Sequence, residues 1–354
     1  MDISRFLPNW LRRAGTAGPT GAANALGHPV GRIAGALIGV YLAVCVALGW
    51  WWNDEPEGFD SLQSATQRAE ERGRKLVTGY ATTDTVITLA RTLLDKRGGY
   101  LSNDLMPPGV WMDNIPNWEF GVLTQLRDVS RSFRIDFSRS QSQSTEDPDL
   151  SIAEGKFFFD NSSWAFPPSE REYEDGIALF ENYLARLSKE KKPAAHFYAR
   201  ADNLQQWLQG VETRLGSLSQ RLSASIGKRQ LDVDLPADQP GLPTPPMARD
   251  AEYKTPWLEI DDVFYEARGQ AWALIQLLEA MEHDFADVLA KKNARVSLEQ
   301  IIRELEPTQA TVWSPFILNG SGLGFLANHS LVMASHISRA SAGISDLRRL
   351  LAQG

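Results

Sequence analysis

The 354-residue sequence contains one cysteine, Cys45, and it lies inside an apolar run. The chain beyond that run can therefore form no internal disulfide and no zinc site built on cysteine. Its stability has to come from packing. Basic residues are also in short supply: 36 Lys and Arg stand against 44 Asp and Glu, a net charge of −8. Neutralising phosphates needs clustered Lys and Arg, so nucleic acid is not an expected partner. The one basic run, Lys189 to Lys192 with Glu190 inside it, falls at the end of an expected helix, where cations complement the dipole. There are only five histidines. His329 and His336 share a helix face and His283 follows Glu279 by four, but no Glu-x-x-His pair exists for a dinuclear bundle site, so no metal is expected. Gly320-Ser321-Gly322-Leu323-Gly324 lacks the third glycine of a dinucleotide fingerprint and is followed by no Gly-Lys-Ser/Thr. It reads as a turn between helices, and no cofactor is expected.

Charge is missing altogether from Ile33 to Trp52, IAGALIGVYLAVCVALGWWW. About 20 apolar residues at 1.5 Å rise span the roughly 30 Å hydrocarbon core of a bilayer, so residues 31–53 are expected to form one transmembrane helix. Arg5, Arg12, Arg13 and Arg32 precede it, and Asp54, Glu55, Glu57 and Asp60 follow it. That bias puts the N-terminus in the cytoplasm and the large C-terminal part outside. Trp50, Trp51 and Trp52 fall at the outer end, at the level of the headgroups. Ala47-Leu48-Gly49 offers small residues to a signal peptidase, but the apolar run is longer than a signal core and continues through the tryptophans, which favours an uncleaved signal-anchor. Residues 1–30, rich in Gly, Ala and Pro, read as a disordered cytoplasmic tail.

Beyond the anchor no segment alternates convincingly as a strand, whereas apolar stripes recur at spacings of three and four. One long helix is expected over about 60–97, with a gap in its stripe at Gly73. Asn117 is the expected cap of a helix carrying Trp118, Val122, Leu126, Val129, Phe133 and Phe137. A short helix follows over Leu150 to Phe159. Ser169 and Glu172 have the spacing of a capping box, as do Ser297 and Gln300. The stripe Phe197, Ala201, Leu204, Leu208, Val211, Leu215, Leu218, Leu222 is the most regular in the chain. Residues 232–256, with six prolines, read as an extended linker between a first half, 54–231, and a second half, 257–354. Asp261 or Asp262 would cap the next helix, and a last helix runs over about 326–352. The fold expected is all-α: a single transmembrane helix followed by a mostly antiparallel bundle of seven or so helices with long loops.

A second uncharged stretch, Thr308 to Ser338, contains Pro315, Asn319 and several glycines, and its apolar residues come in two short groups. It is too broken to cross a membrane. Trp313 to Ile337 is expected to be a turn and helix packed within the outer domain.

Polar groups and aromatics coincide in two loops, Tyr100 to Phe120 and Phe157 to Phe166. Tyr100, Asn103, Asp104, Trp111, Asp113, Asn114, Trp118, Glu119 and Trp164 are the candidate binding residues, because aromatic faces with amides and carboxylates can hold sugars or peptides. The same loops could instead plug one end of the bundle. Asp113, Glu119, Asp128, Asp136 and Asp160 could supply a pair of carboxylates for acid–base hydrolysis of a glycan, if two of them face one cleft. No catalytic residue is singled out.

The runs GGYLSNDLMPPGVWMDNIPNWEFGVL, SRSQSQSTEDPDL and SW-x-FPPSEREYEDG, with the Trp-ended anchor and the acidic segment after it, resemble an uncharacterised proteobacterial family, domain of unknown function 2333. The resemblance covers about residues 30–350. It implies a Gram-negative inner-membrane setting and transfers no activity and no site. The reading favoured by the sequence is an inner-membrane-anchored, periplasmic, non-enzymatic binding or scaffold protein, whose partners are the inner membrane and an envelope protein or cell-wall component. The alternative is an enzyme acting on cell-wall glycan or peptide through loop carboxylates.

Overall fold

The computed structural model describes residues 29–140, 144–189, 194–231, 250–314, 316–320 and 325–353. Most of the expected N-terminal tail, most of the 232–256 linker and Ser321 to Gly324 lie outside these residues. Helix α1, Pro29–Trp52, is the apolar segment. Its stretch Gly31–Trp52 is the single helix among the described residues that is long and apolar enough to cross a membrane.

The second compact unit begins at Asn53. Its helices are α2 (Ser61–Glu71), α3 (Tyr80–Asp95), α4 (Asn114–Ser132), α5 (Pro148–Phe157), α6 (Ser169–Leu187), α7 (Ala201–Ser223), α8 (Ile260–Asp284), α9 (Ala286–Lys291), α10 (Arg295–Leu305) and α11 (His329–Ala352). The fold is all-α, as the stripes require. The one sheet among the described residues is a ribbon of β1 (Lys228–Leu231) and β2 (Asp250–Tyr253), paired antiparallel. It draws together the two ends of the Pro-rich linker.

Most pairings are antiparallel. Glu212 and Ser219 of α7 meet Arg348 and Ala334 of α11. Lys156 of α5 pairs with Glu172 of α6, while Arg186 at the other end of α6 binds Asp147 and Asp149 at the start of α5. Helices α4 and α8 instead run parallel, at a constant offset. Asn117 bonds Asp262, a Cβ on Gly121 would come within 2.2 Å of the Glu266 carbonyl, and Gln125 meets Gln270. A Cβ on Gly269 would likewise come within 2.1 Å of the Trp118 carbonyl, so the two glycines allow these backbones to touch. Trp118 and Trp272 pack beside them, tilted at 54° with ring centroids 5.1 Å apart. The regular stripe is buried as read: Leu204, Leu208, Leu215, Leu218 and Leu222 are covered on every side.

Several local expectations are corrected. The helix expected over 60–97 is two, broken after Glu71 where Gly73 takes φ +58°. Helix α4 starts three residues earlier than Asn117, capped by Asp113, whose carboxylate accepts from the Asn114 N–H at 2.9 Å. Neither capping box forms. Ser169 is the first residue of α6 and its hydroxyl donates to the carbonyls of Asp160 and Ser163, while Ser297 lies inside α10. Asp261 and Asp262 lie in the first turn of α8, which a 3-10 turn, Trp257–Glu259, leads into. Phe197 precedes α7. Helix α11 begins at His329, capped by the Asn328 side chain, and buries Met333, Ala334 and Ile337. The turn before it is packed in only in part: Ile317 lies against the core, while Trp313, Phe316, Phe325 and Leu326 are exposed. Uncharged composition suits burial, but here it marks an apolar surface.

Candidate functional site

The two nominated loops are built around a buried ion pair that their composition does not announce. Lys96, just beyond α3, turns inward and its ammonium meets the Glu119 carboxylate on the first turns of α4, with both side chains almost wholly buried. The same ammonium donates to the Gly99 carbonyl. Glu119 also accepts from the N–H groups of Leu101 and Ser102, both at 2.8 Å, and from the Ser102 hydroxyl. Burial pushes its carboxyl up, while Lys96, Ser102 and the Leu101 N–H pull it back. The result is a fixed path for residues 96–103.

The second loop is tied to the first by side chain to backbone bonds. Tyr100 donates through its hydroxyl to the Asn161 carbonyl at 2.9 Å and packs edge-on to Tyr173. Asn103 donates to the Ser163 carbonyl at 2.8 Å and to Glu170 at 2.7 Å. The structure thus brings the two nominated loops together.

It divides the nominated residues by role. Tyr100, Asn103, Trp118 and Glu119 are buried and hold the loops in place. Asp104 is half-buried against Gly109, and its carboxyl is raised by burial and by Glu170, with Lys96 opposing. Asp113 and Asn114 form the start of α4. Trp111 and Trp164 are exposed. Phe166, the aromatic that ends the second loop, is on the surface with them, as are Leu105 and Met106. Phe166 is the least expected: it stands at φ +61° with its side chain 99% exposed. A left-handed backbone under a bulky residue is strained, and strain held at a surface aromatic points to use. No periodicity could reveal it, because it depends on one backbone angle.

Among the nominated acids, Asp136 has its carboxyl pushed up to about 6, first by burial and then by Asp202. Asp128 is in a fork with Arg214 at 2.8 and 2.9 Å, Asp160 accepts from Ser162, and Glu119 is sealed inside. A carboxylate outside the nominated set is raised as well. Glu279 lines a cleft of about 550 Å³ along α8, together with Glu55, Arg268 and Glu306. Its carboxyl is pushed up to about 7, first by burial and then by Asp60, with Glu306 and Glu282 adding to the rise. Arg268 is committed elsewhere: it holds Glu55 at 2.9 Å and donates to the Thr308 and Ala310 carbonyls. The histidines act separately, His329 accepting from the Leu318 N–H and His336 lying beside Arg339. Among the described residues, no group of three or more His, Cys, Asp or Glu is placed to hold a metal ion.

Comparison with known proteins gives one match. A family profile described as "Uncharacterized protein conserved in bacteria (DUF2333)" matches residues 28–354. No curated protein and no solved structure matches the chain.

Proposed function

We propose a function from one premise: the chain belongs to the DUF2333 family of uncharacterised bacterial proteins. It is a single-pass inner-membrane protein with a cytoplasmic N-terminus and a periplasmic helical domain, and that domain is a non-enzymatic binding or scaffold module of the cell envelope. The Lys/Arg bias across α1 supports the orientation. The observation that carries the binding reading is the fate of the nominated loops. Tyr100, Asn103 and Glu119 are consumed in fixing the backbone, and the large side chains left outside are apolar: Leu105, Met106, Trp111, Trp164 and a strained Phe166. Such a surface suits contact rather than proton transfer.

A second reading, a hydrolase of cell-wall glycan or peptide, draws support from Glu279, whose raised carboxyl in an acidic cleft has the character of a general acid.

Complementation of a deletion strain separates the two. Serine at Trp164 and Phe166 should abolish rescue while glutamine at Glu279 rescues fully. The opposite pattern would establish the hydrolase. For topology, alkaline phosphatase fused after Gly354 should be active, and a fluorescent protein fused at Met1 should fold in the cytoplasm. An inactive phosphatase in a well-expressed fusion would reverse the orientation.

A further inference from the structure

The first residues of the domain run along α8. Glu55 pairs with Arg268 of α8, the Phe59 N–H donates to the Gln276 side chain at 3.2 Å, and the Ser61 hydroxyl donates to the Gln276 carbonyl at 2.9 Å. From Glu55 to Phe59 the chain thus advances along α8 from residue 268 to 276, about 12 Å at 1.5 Å per residue. Traced backwards from Glu55 to Asn53, it heads for the N-terminal end of α8. Asp54 pairs with Arg97 at the C-terminal end of α3, which closes the same end of the bundle. Asn53 follows Trp52 of α1 directly in the sequence.

The exposed tryptophans of the domain collect there. Trp257 is 71% exposed, immediately before α8, and Trp111 is 60% exposed, immediately before the parallel α4. The Asn117–Asp262 bond at 2.7 Å locks the two helix starts side by side. Trp313 is 92% exposed, and its neighbours Thr311 and Val312 line the same cleft as Asn53. Asn319, six residues on, donates to the Ser225 carbonyl at 2.7 Å, beside the end of α7. Trp164 and Phe166 arrive through the Asn103–Ser163 bond.

We propose that this aromatic end of the domain is a lipid-contacting surface, seated in the headgroup layer of the outer leaflet of the bilayer that α1 spans. This deepens the binding reading above and rests on it, naming lipid as the partner. Indoles favour the headgroup layer, where one edge meets hydrocarbon and the N–H meets water. The contact explains why Thr308 to Ser338 carries no charge yet exposes Trp313 and Phe316 instead of burying them. It does not depend on cations: Asp113, Asp261 and Asp262 lie at this end and would repel anionic lipid, so zwitterionic lipid is sufficient. Tethering by α1 makes each contact intramolecular, so weak individual affinities are enough.

The test uses the full chain, with Cys45→Ser as background, in phosphatidylcholine vesicles. An environment-sensitive fluorophore is placed on Trp313→Cys, Trp257→Cys or Trp164→Cys, and on Val296→Cys as a control. Val296 is exposed beside Arg295, which pairs with Glu282 at the opposite end of α8. Labels at 313, 257 and 164 should shift to the blue and lose fluorescence to nitroxide-bearing phosphatidylcholine, while the label at 296 should do neither. Leu258→Cys and Phe166→Cys repeat the measurement, so that a label disturbing one site does not decide it. Equal behaviour of both ends in vesicles overturns the proposal. If the aromatic end is shielded only in native envelopes, its partner is a protein: the lipid assignment falls and the binding reading stands. If it is shielded in neither while serine at Trp164 and Phe166 still rescues the deletion strain, both fall.

Discussion

The carboxylate of Asp284 accepts from both the backbone N–H and the hydroxyl of Thr82, each at 2.7 Å, across 202 residues of sequence. Thr82 lies in the first turn of α3 and Asp284 is the last residue of α8, so one helix end satisfies the free amides of another. Asp284 is buried and its carboxyl is raised by that burial, with the Thr82 bonds opposing. Asp284→Ala leaves a buried amide and hydroxyl without an acceptor and should cost about 2–4 kcal/mol. Urea denaturation with an unchanged m-value checks this, and a loss under about 0.5 kcal/mol would show that water takes over the acceptor role.

The stripe on α7 makes a blunter prediction. Leu215 is fully buried where α7 and α11 face each other. Leu215→Asp places an unpaired carboxylate there, which costs several kcal/mol against a total domain stability of about 5–15 kcal/mol. The domain should lose its cooperative thermal transition. A melt matching the parent would mean the stripe is not buried.

The stripes and the apolar helix α1 were legible because burial repeats along a helix with a fixed period and an uncharged run of about 20 residues stands out by its length. The stripe from Ala65 through Ala69 to Tyr80 stays at helical spacings across Gly73, so periodicity alone could not reveal the break at that residue. Ser169 has the spacing of a cap, but its hydroxyl is taken by Asp160 and Ser163, which approach from outside its helix. At the candidate site, sequence reasoning named Trp111 and Trp164 beside Trp118 without separating the surface aromatics from the core one. What separates them is the contact of α4 with α8, set 145 residues away. Lys96 was overlooked for the same reason: a lysine near a helix end ordinarily points to water.

Lys96 and Glu119 give a third prediction. Lys96→Met leaves the Glu119 carboxylate buried with its countercharge gone, which should cost about 3–5 kcal/mol. Lys96→Met with Glu119→Gln removes both charges and should recover part of that loss, because no unpaired charge then remains inside. Hydrogen exchange would localise the effect: the Leu101 and Ser102 amides should open in Lys96→Met well before the α8 core. Equal protection in parent and variant would show that the pair does not organise the loop.

The last prediction concerns pH. The folded state holds the Glu279 carboxyl at about 7, against an ordinary value of 4.5. Between these values the folded chain keeps a proton that the unfolded chain has released, so the folded state binds more protons and stability falls as pH rises. The contribution is fully present below about 4.5, is lost progressively up to about 7, and is flat above that. Glu279→Gln keeps the shape and removes the titration. Its melting temperature should match the parent near pH 4.5 and exceed it at pH 8, where the parent has to carry an ionised carboxylate beside Asp60, Glu306 and Glu282. Glu304 provides the control: it is half-buried and paired with Arg339, which holds its carboxyl below the ordinary value. Glu304→Gln should therefore lose stability relative to the parent above pH 4.5 and converge with it in acid, the opposite sign. If Glu279→Gln and the parent differ by the same amount at both pH values, the cleft does not hold that proton, and the general-acid character that supports the hydrolase reading disappears with it.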